Sequence, residues 1–185
     1  MQKKTLSLII AVVITLSMAN MVGAEGIIKM GYDHLGTMGT EYFGESSTKE
    51  IESGYTIGVE FLKSEESRLQ TGLGVEYQLM RSATDGSEDF GFIPAYLTAR
   101  LNLFKGGTSP YLQGRLGYNV FQVNGTSSNV SYNGGLYYGV GAGLTLAKDL
   151  QVQADYSIHK GERQWQNVVT PYQYEKISLS LGLIF

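Results

Sequence analysis

The chain has 185 residues, the length of one domain, with 43% hydrophobic residues, 24 Gly, 13 Tyr, 3 Pro and no Cys. The missing cysteines exclude disulfides, thiolate catalysis and a lipid-anchoring cysteine, and no apolar run beyond the N-terminus is long enough to cross a bilayer as a helix. The formal charge is −3; setting aside Lys3 and Lys4 of the leader leaves 12 bases against 17 acids, or −5, which argues against nucleic acid as a partner.

Residues 1–24 read as a secretory signal peptide. Lys3 and Lys4 make a basic start, residues 6–16 an apolar run, and Val22-Gly23-Ala24 a small-residue cleavage site. Asn20 and Gly23 interrupt the run before it reaches spanning length, so a cleaved leader is expected rather than an anchor, with residues 25–185 as the mature domain.

After Glu25 one pattern recurs, apolar and polar residues alternating for about ten positions before a turn, which is the signature of a strand with one apolar face. Eight such strands are expected, at 26–34, 54–62, 68–80, 92–104, 111–121, 136–146, 151–159 and 174–185. The first sets Ile28, Met30 and Tyr32 against Lys29, Gly31 and Asp33; the last sets Ile177, Leu179, Leu181, Leu183 and Phe185 against Lys176, Ser178, Ser180 and Gly182. The apolar faces carry no charge. The polar faces carry Lys29, Asp33, Glu60, Glu76, Arg100, Arg115, Asp155 and Lys176.

Alternation alone does not say which face is inside. A soluble ligand-binding barrel would turn the apolar face inward, but three features favour the reverse. The polar face is rich in Gly, notably Gly139, Gly141 and Gly143, which leaves room in a narrow lumen for Arg100, Arg115 and Tyr96. Connections alternate in length, with short ones at 63–67, 105–110 and 147–150 and long ones at 35–53, 81–91, 122–135 and 160–173, as for periplasmic turns and extracellular loops. Outward Tyr32, Tyr55, Tyr77, Tyr118 and Tyr138 gather toward the long loops, with Phe61 and Phe185 at the other end, the distribution of two aromatic girdles at membrane interfaces. The expected fold is all-β, an eight-stranded antiparallel up-and-down transmembrane barrel with a polar, side-chain-filled interior.

Ile93-Pro94-Ala95-Tyr96-Leu97 running to Arg100, Pro110-Tyr111-Leu112, the Gly139–Gly143 run and the Phe-ending alternation of 178–185 carry a family resemblance. Over nearly all of 25–185 the chain resembles the small outer-membrane barrels of the OmpX/Ail kind and the membrane domain of OmpA-type proteins. The resemblance implies residence in the outer membrane of a diderm bacterium, contact with its lipid and lipopolysaccharide, and recognition of the last strand, ending at Phe185, by the barrel assembly machinery. OmpA-type proteins continue into a peptidoglycan-binding domain, whereas this sequence stops at the barrel, so cell-wall anchoring is not expected.

Inside an eight-stranded barrel there is room only for side chains, and charges buried there must be paired. Lys29, Glu60, Glu76, Arg100, Arg115 and Asp155 are therefore expected to form a structural ion-pair network plugging the lumen, the alternative being a narrow gated ion path. Sharper site readings fall away. Gly139-Val-Gly-Ala-Gly143 has Leu144 where a dinucleotide fingerprint needs its third Gly. His34 and His159, expected near the long-loop rim, are too few for a metal site. A lipid A-modifying triad could be drawn from His159, Ser157 and Glu162, but without a family motif, so no enzyme and no cofactor is expected. Asn124-Gly-Thr126 and Asn129-Val-Ser131 match the glycosylation pattern, a match that short polar loops produce by chance. Function is then expected in the long loops, where Glu41, Tyr42, Phe43, Glu45, Glu50 and Glu52 (first loop) and Trp165 and Tyr172 (fourth) suit an external or host partner. The alternatives are an envelope-structural role or a small-solute pore.

Overall fold

The computed structural model describes residues 24–42, 45–63, 68–84, 89–104, 108–124, 130–146, 149–166 and 168–185. The leader before Ala24, Phe43, the tips of the three short connections, Thr126 and Asn129 lie outside the described residues.

Among the described residues there are nine strands: β1 (Ala24–Tyr42), β2 (Glu45–Ile51), β3 (Gly54–Lys63), β4 (Leu69–Gln78), β5 (Phe90–Asn102), β6 (Ser109–Val123), β7 (Val130–Leu146), β8 (Leu150–Trp165) and β9 (Val168–Ile184). From β3 onward each strand pairs antiparallel with the next, and β1 pairs with β9 to close the ring. Closure satisfies the backbone groups of the ring strands within the sheet, while β2 pairs along its length with β1 and meets the rest of the sheet through the isolated bridge Ile51↔Ala83.

The ninth strand does not add a ninth stave. β3 pairs with the lower half of β1 (Ala24↔Lys63 to Asp33↔Gly54), and β2 pairs with its upper half (Gly36↔Ile51 to Tyr42↔Glu45). β2 and β3 are thus two parts of one barrel stave, broken at Glu52 and Ser53. Opposite the break, Leu35 takes a positive φ of 51° and the β1–β9 register shifts between His34 and Thr37, the mark of a β-bulge. His34 Nδ1 lies 3.0 Å from Ser53 Oγ across it.

Three of the four connections expected as long loops are largely strand. Segment 35–53 is the β1–β2 hairpin, 122–135 holds the ends of β6 and β7, and 160–173 the ends of β8 and β9. In 81–91 the described residues are 81–84 and 89–91, of which only Phe90 and Gly91 belong to a strand, and the isolated bridges Arg81↔Phe90 and Ile51↔Ala83 tie the segment down. The reason lies in polarity. Toward the short turns the outward residues are apolar and exposed (Ile28, Met30, Leu97, Leu116, Leu181), and the inward ones are buried and mostly polar, with Ile27 and Leu62 as buried apolar residues at that end. Toward the long connections the order reverses: Lys160, Glu162 and Gln164 of β8 are exposed, while Met38, Ile51, Phe90, Phe92, Phe121 and Tyr174 form a buried apolar cluster. The hydrogen-bond ladder runs straight through this inversion, so the strands outlast the apolar outer face.

Candidate functional site

The lumen is filled in layers. At mid-height Glu60 of β3 lies fully buried at the centre of a charge cluster. Lys29 Nζ is 2.5 Å from Glu60 Oε1 and 3.2 Å from Glu76 Oε1. Arg115 of β6 spans three acids, with Nε 3.3 Å from Glu60, Nη1 3.2 Å from Glu76 and Nη2 3.1 Å from Asp155. Arg100 of β5 stands further off, 3.6 Å from Glu60, and rests over the Tyr111 ring at 4.1 Å, a contact that offsets part of its desolvation. Neutral donors complete the shell: Tyr96 Oη donates to Glu60 (2.8 Å), and Gln113 Nε2 donates to both Glu60 oxygens (3.1 and 3.2 Å). Alternation on the contributing strands brings these side chains together, because each sits at an inward position of its own strand.

A second cluster stands above the first. Asp33 of β1 accepts from Arg81 Nη2 (2.8 Å), Lys176 Nζ (2.8 Å), Ser178 Oγ (2.6 Å) and Thr56 Oγ1 (2.5 Å). Four donors on one buried carboxylate supply the compensation that a buried charge requires. The cavity among these groups measures about 20 Å³, room for a single water.

Aromatic rings close the lumen above the charges. Phe92 stacks on Phe121 (centroids 4.6 Å apart, 12° between planes) and on Tyr174 (5.9 Å, 7°). His159 lies under Phe92 at 5.1 Å and against Tyr137 at 4.9 Å, and Tyr137 continues to Tyr96 at 5.3 Å. Arg81 Nη1 donates to Tyr174 Oη at 3.1 Å, joining this floor to the Asp33 cluster.

Over the floor the strand extensions form a crown around a cup-shaped cavity of about 310 Å³. Its walls come from β1 and β2 (Met38, Thr40, Lys49, Ile51), the β4–β5 connection (Ala83), β5 and β6 (Phe90, Phe121, Val123), and β7 to β9 (Tyr132, Arg163, Tyr172). Trp165 stands at the rim, 49% exposed, in an adjoining cavity that shares Thr40, Arg163 and Tyr172.

Lys29, Glu60, Glu76, Arg100, Arg115 and Asp155 all meet in the lower cluster. Tyr32, Tyr55, Tyr77, Tyr118 and Phe185 are exposed on the outer face, with Tyr32 and Tyr55 in contact at 5.6 Å. Phe61 and Tyr138 are only half-buried there, Tyr138 with Lys160 Nζ 6.0 Å from its ring centre. His159 corrects one expectation: it is buried in the lumen, not near the rim, with Nδ1 2.9 Å from Asn119 Oδ1 and Nε2 3.4 Å from Ser157 Oγ. Glu162 has the opposite strand parity and is exposed, so the triad that could be drawn from sequence is not assembled. Among the described residues no group of three or more His, Asp or Glu side chains is placed to hold a metal ion. Arg81 was missed because it falls where the alternation lapses, and the cup because all its residues except Phe121 fell in segments expected as loops; the aromatic run Phe90, Phe92, Tyr172, Tyr174 at period two was the available signal.

A model of the outer membrane protein β-barrel domain family matches residues 8–185. No protein of curated function gives a match. Among solved structures the chain is similar to the outer membrane protein OprG of Pseudomonas aeruginosa, at 11% identity and a TM-score of 0.52, covering 88% of this chain and 96% of that one. It is also similar to Ail of Yersinia pestis in a phospholipid bilayer nanodisc, at 16% identity and a TM-score of 0.50, covering 88% and 99%. The family match over nearly the whole sequence, together with a closed ring of strands bearing an apolar outer band, makes this chain a member of the outer membrane protein β-barrel domain family, resident in the bacterial outer membrane.

Proposed function

We propose that the protein is a surface receptor of the outer membrane: a plugged barrel that anchors an extracellular crown, with the crown binding an external partner. One observation carries the reading. The lumen is filled by two charge clusters and a stacked aromatic floor around a cavity of about 20 Å³, while the strands continue beyond the outer tyrosines into a crown that bears an aromatic cup and the exposed Trp165. A conduit needs continuous space, and recognition needs exposed aromatic surface held rigidly; the geometry supplies the second. In this reading the network of Lys29, Glu60, Glu76, Arg100, Arg115 and Asp155 is a structural plug. Residues 1–24 act as a cleaved signal peptide, and the outer tyrosines with Phe61 and Phe185 sit at the interfaces with lipid and lipopolysaccharide. The reading rests on the crown and not on Ail, whose likeness at 16% identity speaks for the fold alone.

The test compares cells carrying the native protein with cells in which 36–51 and 161–173 are replaced by tight turns, scored for binding to matrix-coated surfaces and epithelial monolayers. Heat-modifiable gel mobility shows that both barrels fold. Binding that disappears with the crown supports the receptor reading. Equal binding by both cells, or by neither, overturns it and moves an envelope-structural role ahead.

A further inference from the structure

The cup inside the crown has a chemical character of its own. Its walls are apolar and aromatic, and the ionisable side chains among its described lining residues are two bases, Lys49 of β2 and Arg163 of β8, with the Tyr132 and Tyr172 phenols; no carboxylate is among them. Phe121 and Phe90 meet edge to face at 6.3 Å and Tyr132 stands perpendicular to Phe121 at 5.3 Å, so the apolar walls are braced by their own ring contacts. A volume of about 310 Å³ lies at the lower end of ligand-pocket sizes and equals roughly ten waters at ~30 Å³ each.

We propose that this cup binds a small amphipathic anion, an apolar chain or ring system of about ten to a dozen carbons ending in a carboxylate, sulfate or phosphate. The proposal rests on the crown being the binding part of the molecule and names the ligand class. The apolar body packs against Met38, Phe90, Phe121 and Val123, and the anionic end meets Lys49 and Arg163. Contacts that these two bases already make do not preclude this, because an ammonium carries three N–H donors and a guanidinium five. An uncharged chain of equal length gains the same apolar burial but none of the charge-assisted hydrogen bonds. A short hydrophilic anion gains only the second term. Binding therefore requires both ends of the ligand.

The chain contains a single tryptophan, Trp165, and its place beside the cup makes it a built-in reporter. The full-length protein in phospholipid nanodiscs is titrated with 11-bromoundecanoate, whose bromine quenches nearby indole fluorescence, and in parallel with the uncharged 11-bromoundecanol. Saturable quenching is expected, with half-saturation by the acid at a concentration at least tenfold lower than by the alcohol. K49Q/R163Q is expected to abolish that preference, and A83F, which fills the cup, to raise half-saturation at least tenfold for both probes. Non-saturating quenching that is equal for acid, alcohol and A83F is bilayer partitioning and overturns the proposal, as does an acid preference that survives in K49Q/R163Q. If that variant does not fold, the acid-to-alcohol ratio on native protein decides alone, a ratio near one overturning the anion site. The two readings fail separately. Crown-dependent cell binding without acid quenching sinks the cup ligand only, whereas cup quenching without cell binding sinks the surface receptor and leaves the cup.

Discussion

Substituting Glu60→Gln tests the lumen network at its centre. The carboxylate faces Lys29, Arg115 and Arg100 at 2.5, 3.3 and 3.6 Å. At an effective dielectric of about 20 each attraction amounts to about 5 kcal/mol before desolvation is subtracted. The amide loses all three, but Lys29 and Arg115 keep Glu76 at 3.2 Å, and Arg115 keeps Asp155. Arg100 keeps only the Gln113 amide oxygen at 3.3 Å and the face of Tyr111. The substitution thus strands one buried cation, a change that costs about 3–5 kcal/mol. Urea unfolding in phospholipid vesicles, followed by heat-modifiable mobility, should register that loss as a lower midpoint. A second substitution, Arg100→Met, made together with Glu60→Gln, removes the stranded charge and should restore about 1–3 kcal/mol. Arg81→Met, in the separate Asp33 cluster, should restore none, because the two effects are independent. A loss under about 1 kcal/mol for Glu60→Gln, or equal behaviour of the two second-site changes, would refute the assignment of Arg100 to Glu60.

The same unfolding assay separates two glycines. A Cβ on Gly74 would lie 2.5 Å from the ring of Tyr96, whose hydroxyl is held by Glu60, so Gly74→Ala should cost about 1–3 kcal/mol. Gly114 has nothing within 4 Å of the same position, and Gly114→Ala should be neutral or stabilising by up to about 1 kcal/mol; the reverse order would contradict the lumen packing. In planar bilayers the native protein, Glu60→Gln and Arg100→Gln should all stay at the leak level, and resolved current steps that depend on these charges would show a path where a plug is proposed. Phe185→Ala should lower the folded, heat-modifiable fraction in outer membranes several-fold while refolding into vesicles proceeds at the native rate. A matching defect in both settings would make Phe185 a stability residue and not an assembly signal.

The six charges of the lower cluster were legible because each lies within a strand whose outer face is apolar, and a period of two then assigns the remaining residues to the lumen. Arg81 was not, since β4 ends at Gln78 and the chain rejoins the sheet through the isolated bridges Arg81↔Phe90 and Ile51↔Ala83. The crown strands escaped for a different reason. Reading strands by their apolar outer face works only where lipid demands such a face. On β9 the outward positions pass from Leu179 and Ile177, both exposed, to Glu175 and Gln173, while the inward positions pass from Ser178 and Lys176 to Tyr174 and Tyr172. The period of two persists through this segment, but its polarity has changed sign, and a scan that follows the apolar side sees it stop. The cup follows from the same inversion, so it was invisible wherever the strands themselves were.

That inversion also explains how a barrel with so polar an interior can carry a firmly built crown. Within the bilayer, lipid covers the apolar outer face, and paired charges occupy the middle of the lumen. Above the bilayer the outer face meets water, the hydrophobic effect acts inward again, and Phe90, Phe92, Phe121 and Tyr174 gather into a core like that of a water-soluble β protein. The two cores are stacked along one set of continuous strands and share a fastening, since Arg81 donates to Asp33 below and to Tyr174 above. On the proposed receptor reading, a crown built on such a floor would give up little conformational freedom on binding a partner. For the proposed ligand, a cup of braced rings would enter an encounter already close to its bound shape, which is the condition under which a modest apolar area yields useful affinity.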